Sequence, residues 1–114
     1  MIIIKKSENM KVILIQPNHK WHGDTQMIRG ILPPMGLVYM AAVLEQNQIG
    51  VDVIDANALD LSPDDVILEI TRKNPKIVGI SILTPDHDSC VDLAKRIPSQ
   101  YITVAGGPHA TAVP

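Results

Sequence analysis

Residues 62–82 read SPDDVILEITRKNPKIVGISI, a helix, its stop and a buried strand in direct succession. Ser62 can cap a helix, Pro63 suits the first helical position, and Asp64 and Asp65 lie at the positive end of the helix dipole. Arg72 and Lys73 occupy the negative end, and Asn74-Pro75 stops the helix. Ile77-Val-Gly-Ile-Ser-Ile82 then runs on without the alternation of a half-solvated strand. Such a run is expected of a strand covered on both faces, as in a parallel sheet.

The same order repeats on either side. Lys11-Val-Ile-Leu-Ile-Gln16 is a second continuous β-branched run. Residues 17–33 follow as a polar loop rich in turn formers, and Pro33-Pro34 opens a helix. Its Leu37, Met40, Ala41 and Leu44 recur at helical spacing, and it should end between Asn47 and Gly50. Val51–Ile54 reads as a short strand. Pro85-Asp86 lead into a third helix with Cys90, Leu93, Ala94 and Ile97 on its inner face, stopped by Pro98. Tyr101–Ala105 is the fourth strand, and Gly106-Gly107-Pro108 turns the chain out of it. Regular strand–helix alternation with right-handed crossovers makes the class α/β, a flavodoxin-like or Rossmann-like doubly wound parallel sheet of order 2-1-3-4. A sheet of this kind usually has five strands. The fifth is absent here, so the chain is either a fragment of a longer polypeptide, which is the expectation, or an unusually short domain. Residues 1–10 read as an N-terminal leader and residues 11–114 as one domain, incomplete at its C-terminal side.

Of the 114 residues 46% are hydrophobic and 19% charged, which suffices for a packed core and is too apolar for a disordered chain. There is no Phe, so that core must be aliphatic. Ten basic against twelve acidic residues give a net charge of −2 and no basic cluster, which argues against nucleic acid or an anionic membrane as partner. Cys90 is the single cysteine, which excludes an internal disulfide, a CxxC zinc site and a three-cysteine iron–sulfur motif within the chain. The amino terminus lacks the apolar core of a signal peptide, and the longest apolar stretch, Ile31–Leu44, is too short to span a bilayer. A soluble, cytoplasmic domain is expected.

Ligands of open parallel sheets bind beyond the carboxyl ends of the strands. Residues 17–33, 55–61, 83–87 and 106–111 leave those ends, and they hold all four histidines (His19, His22, His87, His109) and the only tryptophan, Trp21. Several ligands are excluded. No GxGxxG follows the first strand, so a dinucleotide site is missing, and there is no Walker A pattern. Gln16-Pro17 cannot supply the acidic pair of a phosphoacceptor domain, and Leu83-Thr84 stands where its acceptor Asp would be. The histidines, without cysteine partners, read as surface or packing residues rather than as a zinc site. Cys90, on an apolar helix face, reads as an inert buried thiol.

Two strand ends carry a family resemblance. Val78-Gly-Ile-Ser-Ile-Leu-Thr84 and Val104-Ala-Gly-Gly-Pro-His-Ala110 resemble the ends of the third and fourth strands in cobalamin-binding domains. Pro33-Pro-Met-Gly-Leu37 with Tyr39-Met-Ala-Ala-Val-Leu-Glu45 is similar to the first helix of one branch, the domain at the front of cobalamin-dependent radical S-adenosylmethionine enzymes. The resemblance covers residues 11–113. It implies that the corrin lies at the C-terminal edge of the sheet and that its nucleotide tail enters between sheet and helix. It further implies cofactor contacts from Asn18, Pro34, Gly36, Asp55, Ser81, Leu83, Thr84, Gly106, Gly107, Pro108 and His109. The Ser81 hydroxyl would bond the tail's base, and Gly106 and Gly107, lacking a Cβ, would let backbone approach it closely. Without the resemblance, Ser81 reads as a buried hydroxyl bonded to backbone and the glycines as a tight turn.

Members that bind cobalt from below through a histidine carry Asp-x-His-x-x-Gly after the first strand. Here the loop reads Pro17-Asn-His-Lys-Trp-His-Gly-Asp24, and neither His19 nor His22 fits that motif. A base-off corrin without a histidine ligand is therefore implied. S-adenosylmethionine and a [4Fe-4S] cluster would belong to a radical domain following in the same polypeptide, of methyltransferase or oxidative cyclase type. This chain would not be catalytic alone, and its fourth strand, left as an edge, would favour self-association. From another class, a cofactor-free flavodoxin-like signalling or protein-interaction domain fits the same element order.

Overall fold

The computed structural model describes residues 11–18, 35–82 and 87–107. In chain order they form β1 (Lys11–Gln16), α1 (Met35–Gln46), β2 (Gly50–Asp55), α2 (Pro63–Lys73), β3 (Ile77–Ser81), α3 (His87–Arg96) and β4 (Ile102–Gly106). The strands make one parallel sheet of order β2-β1-β3-β4, as the sequence implied. Strand and helix ends fall within a residue or two of the sequence reading. His87, expected in a loop, is the first residue of α3. Among the described residues no helix is long and apolar enough to cross a membrane.

Local chemistry sets α2. The Ser62 hydroxyl accepts a hydrogen bond from the Asp65 amide at 3.1 Å, while the Asp65 carboxylate accepts one from the Ser62 amide at 3.0 Å. This reciprocal box satisfies two amides that the helix itself cannot, and such a cap is worth about 1 kcal/mol. At the other end Asn74 takes a left-handed conformation (φ 48°) and donates its amide to the Ile70 carbonyl. The Tyr101 hydroxyl reaches the Asn74 side chain at 3.2 Å, tying that cap to the start of β4.

Helices lie on both faces of the sheet, unequally. On one face Ile13, Ile15, Val78 and Ile80 are buried beneath α2 and α3, which contribute Val66, Ile70 and Leu93, with Ile97 just past the end of α3. Cys90 belongs to this core, its thiol 3.9 Å from the Ser81 carbonyl oxygen. On the other face α1 is the one helix among the described residues, packed over β1 and β2 with Leu37 buried against Val12 and Leu14. Ala41 and Leu44 are half-buried, but Met40, assigned to the inner face by its spacing, is 49% exposed. The reason is positional: no described helix covers β3 and β4 on this face, so a side chain inclined toward them has nothing to pack beneath. Ile102 and Val104 of β4 are exposed for the same reason.

Candidate functional site

The uncovered half of the α1 face is a cleft of about 520 Å³ between α1 and the strands. That volume lies within the range of small-molecule sites. Strand parity builds its floor, because every second side chain points to the same face. Leu14, Gly79 and Val104 form one row in register across β1, β3 and β4, and Ser81 and Gly106 form the next, nearer the carboxyl ends. Gln16 ends β1 on the same face, and α1 contributes a wall through Met35, Gly36 and Met40.

The three glycines of this floor and rim do different things. A Cβ on Gly79 would stand 2.9 Å from Leu14 Cδ2, so the glycine gives the Leu14 side chain its room. Above Gly106 no heavy atom of the described residues lies within 4 Å of where a Cβ would be, so among them this position is bare backbone facing open space. Gly107 has φ +99°, and a Cβ there would meet the Ile82 carbonyl oxygen at 3.0 Å and Ser81 Oγ at 3.1 Å. Gly107 is therefore required by the turn itself, whereas nothing among the described residues requires glycine at position 106.

Among the described residues no charged side chain lines the cleft, and its polar side chains are Gln16 and Ser81, both at the carboxyl edge. The principal charge cluster lies elsewhere, where Asp52 of β2 sits between Lys11 (3.0 Å) and Lys73 (3.2 Å). The hydrogen bond from Lys11 above all, and that from Lys73, hold the Asp52 carboxyl below its usual range against a smaller opposing effect of burial. Among the described residues no group of three or more His, Cys, Asp or Glu is placed to hold a metal ion.

Of the residues singled out in the sequence, Gly36, Ser81, Gly106 and Gly107 meet at this cleft. Asn18 and Asp55 do not. The Asn18 side chain is buried and donates to Asp60 Oδ1 at 2.9 Å and to the Leu61 carbonyl at 3.3 Å, pinning the end of β1 to the turn before α2. Asp55 Oδ1 accepts from the Ala58 amide at 3.0 Å and closes the turn after β2. Pro34, Leu83, Thr84, Pro108 and His109 lie outside the described residues, as do His19, Trp21 and His22. His87 is exposed, with Nδ1 3.3 Å from the Asp88 carboxylate. Gln16, Gly79, Met40 and Val104 are lining residues that the motif reading missed. Strand parity counted back from Ser81 and Gly106 is the signal that finds two of them, Gly79 and Val104.

Residues 22–114 match the B12 binding domain family. The chain belongs to that family. Its B12-binding domain is 35% identical over 106 residues to the anaerobic magnesium-protoporphyrin IX monomethyl ester cyclase of Rubrivivax gelatinosus, covering 90% of this chain and 19% of the cyclase. It is 32% identical over 108 residues to an uncharacterised methyltransferase of Pyrococcus horikoshii, covering 92% of this chain and 23% of that protein. It is also 30% identical, over 129 aligned residues, to the cytidylyl-2-hydroxyethylphosphonate methyltransferase of Streptomyces wedmorensis, covering 91% and 23%. The B12-binding domain thus spans about a fifth of the length of these relatives. No solved structure matches the chain significantly.

The cleft fits the cofactor that the family binds. Its site must admit a bulky group against backbone, and the rim provides that approach at Gly106, whose missing Cβ leaves open space. The Ser81 hydroxyl stands beside it, one step from the apolar floor.

Proposed function

We propose that this chain holds a cobalamin at the carboxyl edge of its sheet, base-off and without a histidine ligand, for a radical S-adenosylmethionine domain of the parent polypeptide. The observation that carries the reading is the open apolar cleft ending in Ser81, Gly106 and Gly107. Gly36 lies in the cleft wall, and Pro34, Leu83, Thr84, Pro108 and His109 adjoin these residues in sequence and complete the proposed contact set. When bound, the cofactor supplies cobalt-centred chemistry; the protein supplies its orientation and surroundings. Ser81 donates or accepts one hydrogen bond at the rim, the apolar floor excludes water, and Asn18 and Asp55 fix the turns around the site from outside it. The absence of Asp-x-His-x-x-Gly after β1 supports a cobalt without a protein ligand.

The named relatives, a cyclase and two methyltransferases, support a parent of oxidative cyclase or methyltransferase type. The S-adenosylmethionine and [4Fe-4S] cluster belong to that parent's further domain. Exposed Val38, Tyr39 and Val43 on α1, with Ile102 and Val104 on β4, leave apolar surface for such a domain to cover.

Incubation with hydroxocobalamin followed by desalting tests the reading. Retained corrin absorbance supports it, whereas a colourless protein favours a cofactor-free interaction domain. In the reduced cobalt(II) form, paramagnetic resonance free of nitrogen triplets supports the ligand-free lower face. Triplets that vanish in His22→Ala would refute it, since a neutral imidazole is a good cobalt ligand.

A further inference from the structure

We infer that Ile2-Ile3-Ile4 adds to the sheet as an edge strand, antiparallel to β2 in the groove between β2 and α2. Residues 1–10 lie outside the described residues, so the inference stands on the groove and on the sequence that leads into Lys11.

β2 is paired on one side only, with β1. The Ala56 amide donates to the Gln16 carbonyl at 2.9 Å, so alternate residues counted back from Ala56 direct their backbone groups toward β1. Val51 and Val53 therefore turn their amides and carbonyls outward, where among the described residues no strand receives them. Beside this edge runs a groove of about 550 Å³, walled along α2 by Asp65, Leu68 and Glu69 and closed beyond β2 by Leu59 and Leu61. Its charged groups are engaged locally. Asp65 belongs to the α2 capping box, Glu69 meets Arg72 at 2.8 Å, and Asp52 holds Lys11 and Lys73. The surface left to offer is apolar, with Leu59 66% and Leu68 68% exposed. An outward-facing strand edge beside an apolar wall is the geometry of strand addition.

The segment before Lys11 is placed to fill it. Lys11 pairs with Gly50, so the chain enters β1 beside the start of β2. From there to the far side of β2 is two strand spacings, about 9–10 Å. Residues 5–10 reach up to about 20 Å when extended, which leaves slack for a reversal through Ser7-Glu8-Asn9. The added strand must run antiparallel, because a parallel one would end a further strand length, about 20 Å, from Lys11. Ile2-Ile3-Ile4 is β-branched without alternation, the pattern of a strand covered on both faces. β2 is flanked in that way, with α1 over Val51 and Val53 and α2 over Ile54. Side chains alternate along a strand, so in either register at least one isoleucine meets each face. The opposite edge fits less well. At β4, Ile102 and Val104 are exposed and no described helix covers their face, so an isoleucine added there would stay in water.

Amide hydrogen exchange of the full chain, read residue by residue by NMR, tests the inference without any corrinoid, and so apart from the proposed function. Val51 and Val53 should exchange at least about tenfold faster in the triple variant Ile2→Ser, Ile3→Ser, Ile4→Ser than in the parent. Ile13, at the sheet centre, should stay equally protected. Leu68→Ser, at an exposed position, should speed the same two amides severalfold. In the parent, the methyl groups of residues 2–4 should show nuclear Overhauser contacts to Leu68. Their absence would overturn the inference whether or not the variants fold. Equal exchange of Val51 and Val53 in the parent and the triple variant would overturn it too, as would exchange unchanged by Leu68→Ser. Protection altered only at Thr103 and Ala105, the outward amides of β4, would place the segment at the wrong edge and refute it. Protection that survives the triple substitution and falls on dilution would assign the β2 edge to a second copy instead.

Discussion

Gly106→Val separates the fold from the site more sharply than any other single change. Gly106 is paired with Ser81 at the end of β4, and around the position of its missing Cβ no atom of the described residues lies within 4 Å. A valine there meets no protein atom at its branch point and carries a better strand propensity than glycine, so folding should be retained. Glycine in a strand costs roughly 0.5–1 kcal/mol relative to alanine, and the variant should melt no lower than its parent. A ligand using that space must move or clash, and overpacking of this size costs about 1–3 kcal/mol. Affinity for hydroxocobalamin should therefore fall roughly 5- to 150-fold. Gly107→Val supplies the contrast. Its φ of +99° and the 3.0 Å approach to the Ile82 carbonyl make the substitution strain the backbone, by about 1–3 kcal/mol. Its melting temperature should drop by roughly 5–15 °C. Thermal melts and corrinoid titrations on both variants give the four numbers. A stable Gly106→Val that binds as tightly as the parent would refute the placement of the ligand at this rim.

Three further outcomes follow from the described contacts. Asn18→Ala removes two hydrogen bonds between β1 and the turn before α2, and the melting temperature should fall by about 5–10 °C. Asp52 has a folded pKa lowered by Lys11 and Lys73, so its contribution is present above the unfolded value of 3.8 and is lost as pH falls through the lower folded value. Asp52→Asn should therefore cost up to about 1 kcal/mol at pH 7, since the groups are partly exposed, and the gap to the parent should close on acidification below pH 3.8, read by melts across pH. Exposed Ile102 and Val104 on edge strand β4 should drive self-association at high concentration, and Val104→Lys should reduce it in sedimentation velocity.

The sheet was readable because its signals are local. Val12–Ile15 is buried throughout, and the Ser62 cap acts within four residues, so sequence alone states both. Sheet order followed from connectivity rules rather than from any one residue. What resisted reading depends on partners distant in sequence. Asn18 looked like a loop residue facing a ligand, and its carboxamide is taken by Asp60, 42 residues away, which no local pattern announces. Met40 had the spacing of a core residue, but spacing gives the direction of a side chain and not whether the sheet beneath is covered. The adjacent glycines show the same limit. Gly106 and Gly107 read as one motif, yet backbone conformation requires only the second. That difference bears on the proposed site: where a turn explains a glycine, no ligand is needed to account for it. At Gly106 neither φ nor any atom of the described residues calls for glycine, so a substitution there reads the proposed cleft and not the turn.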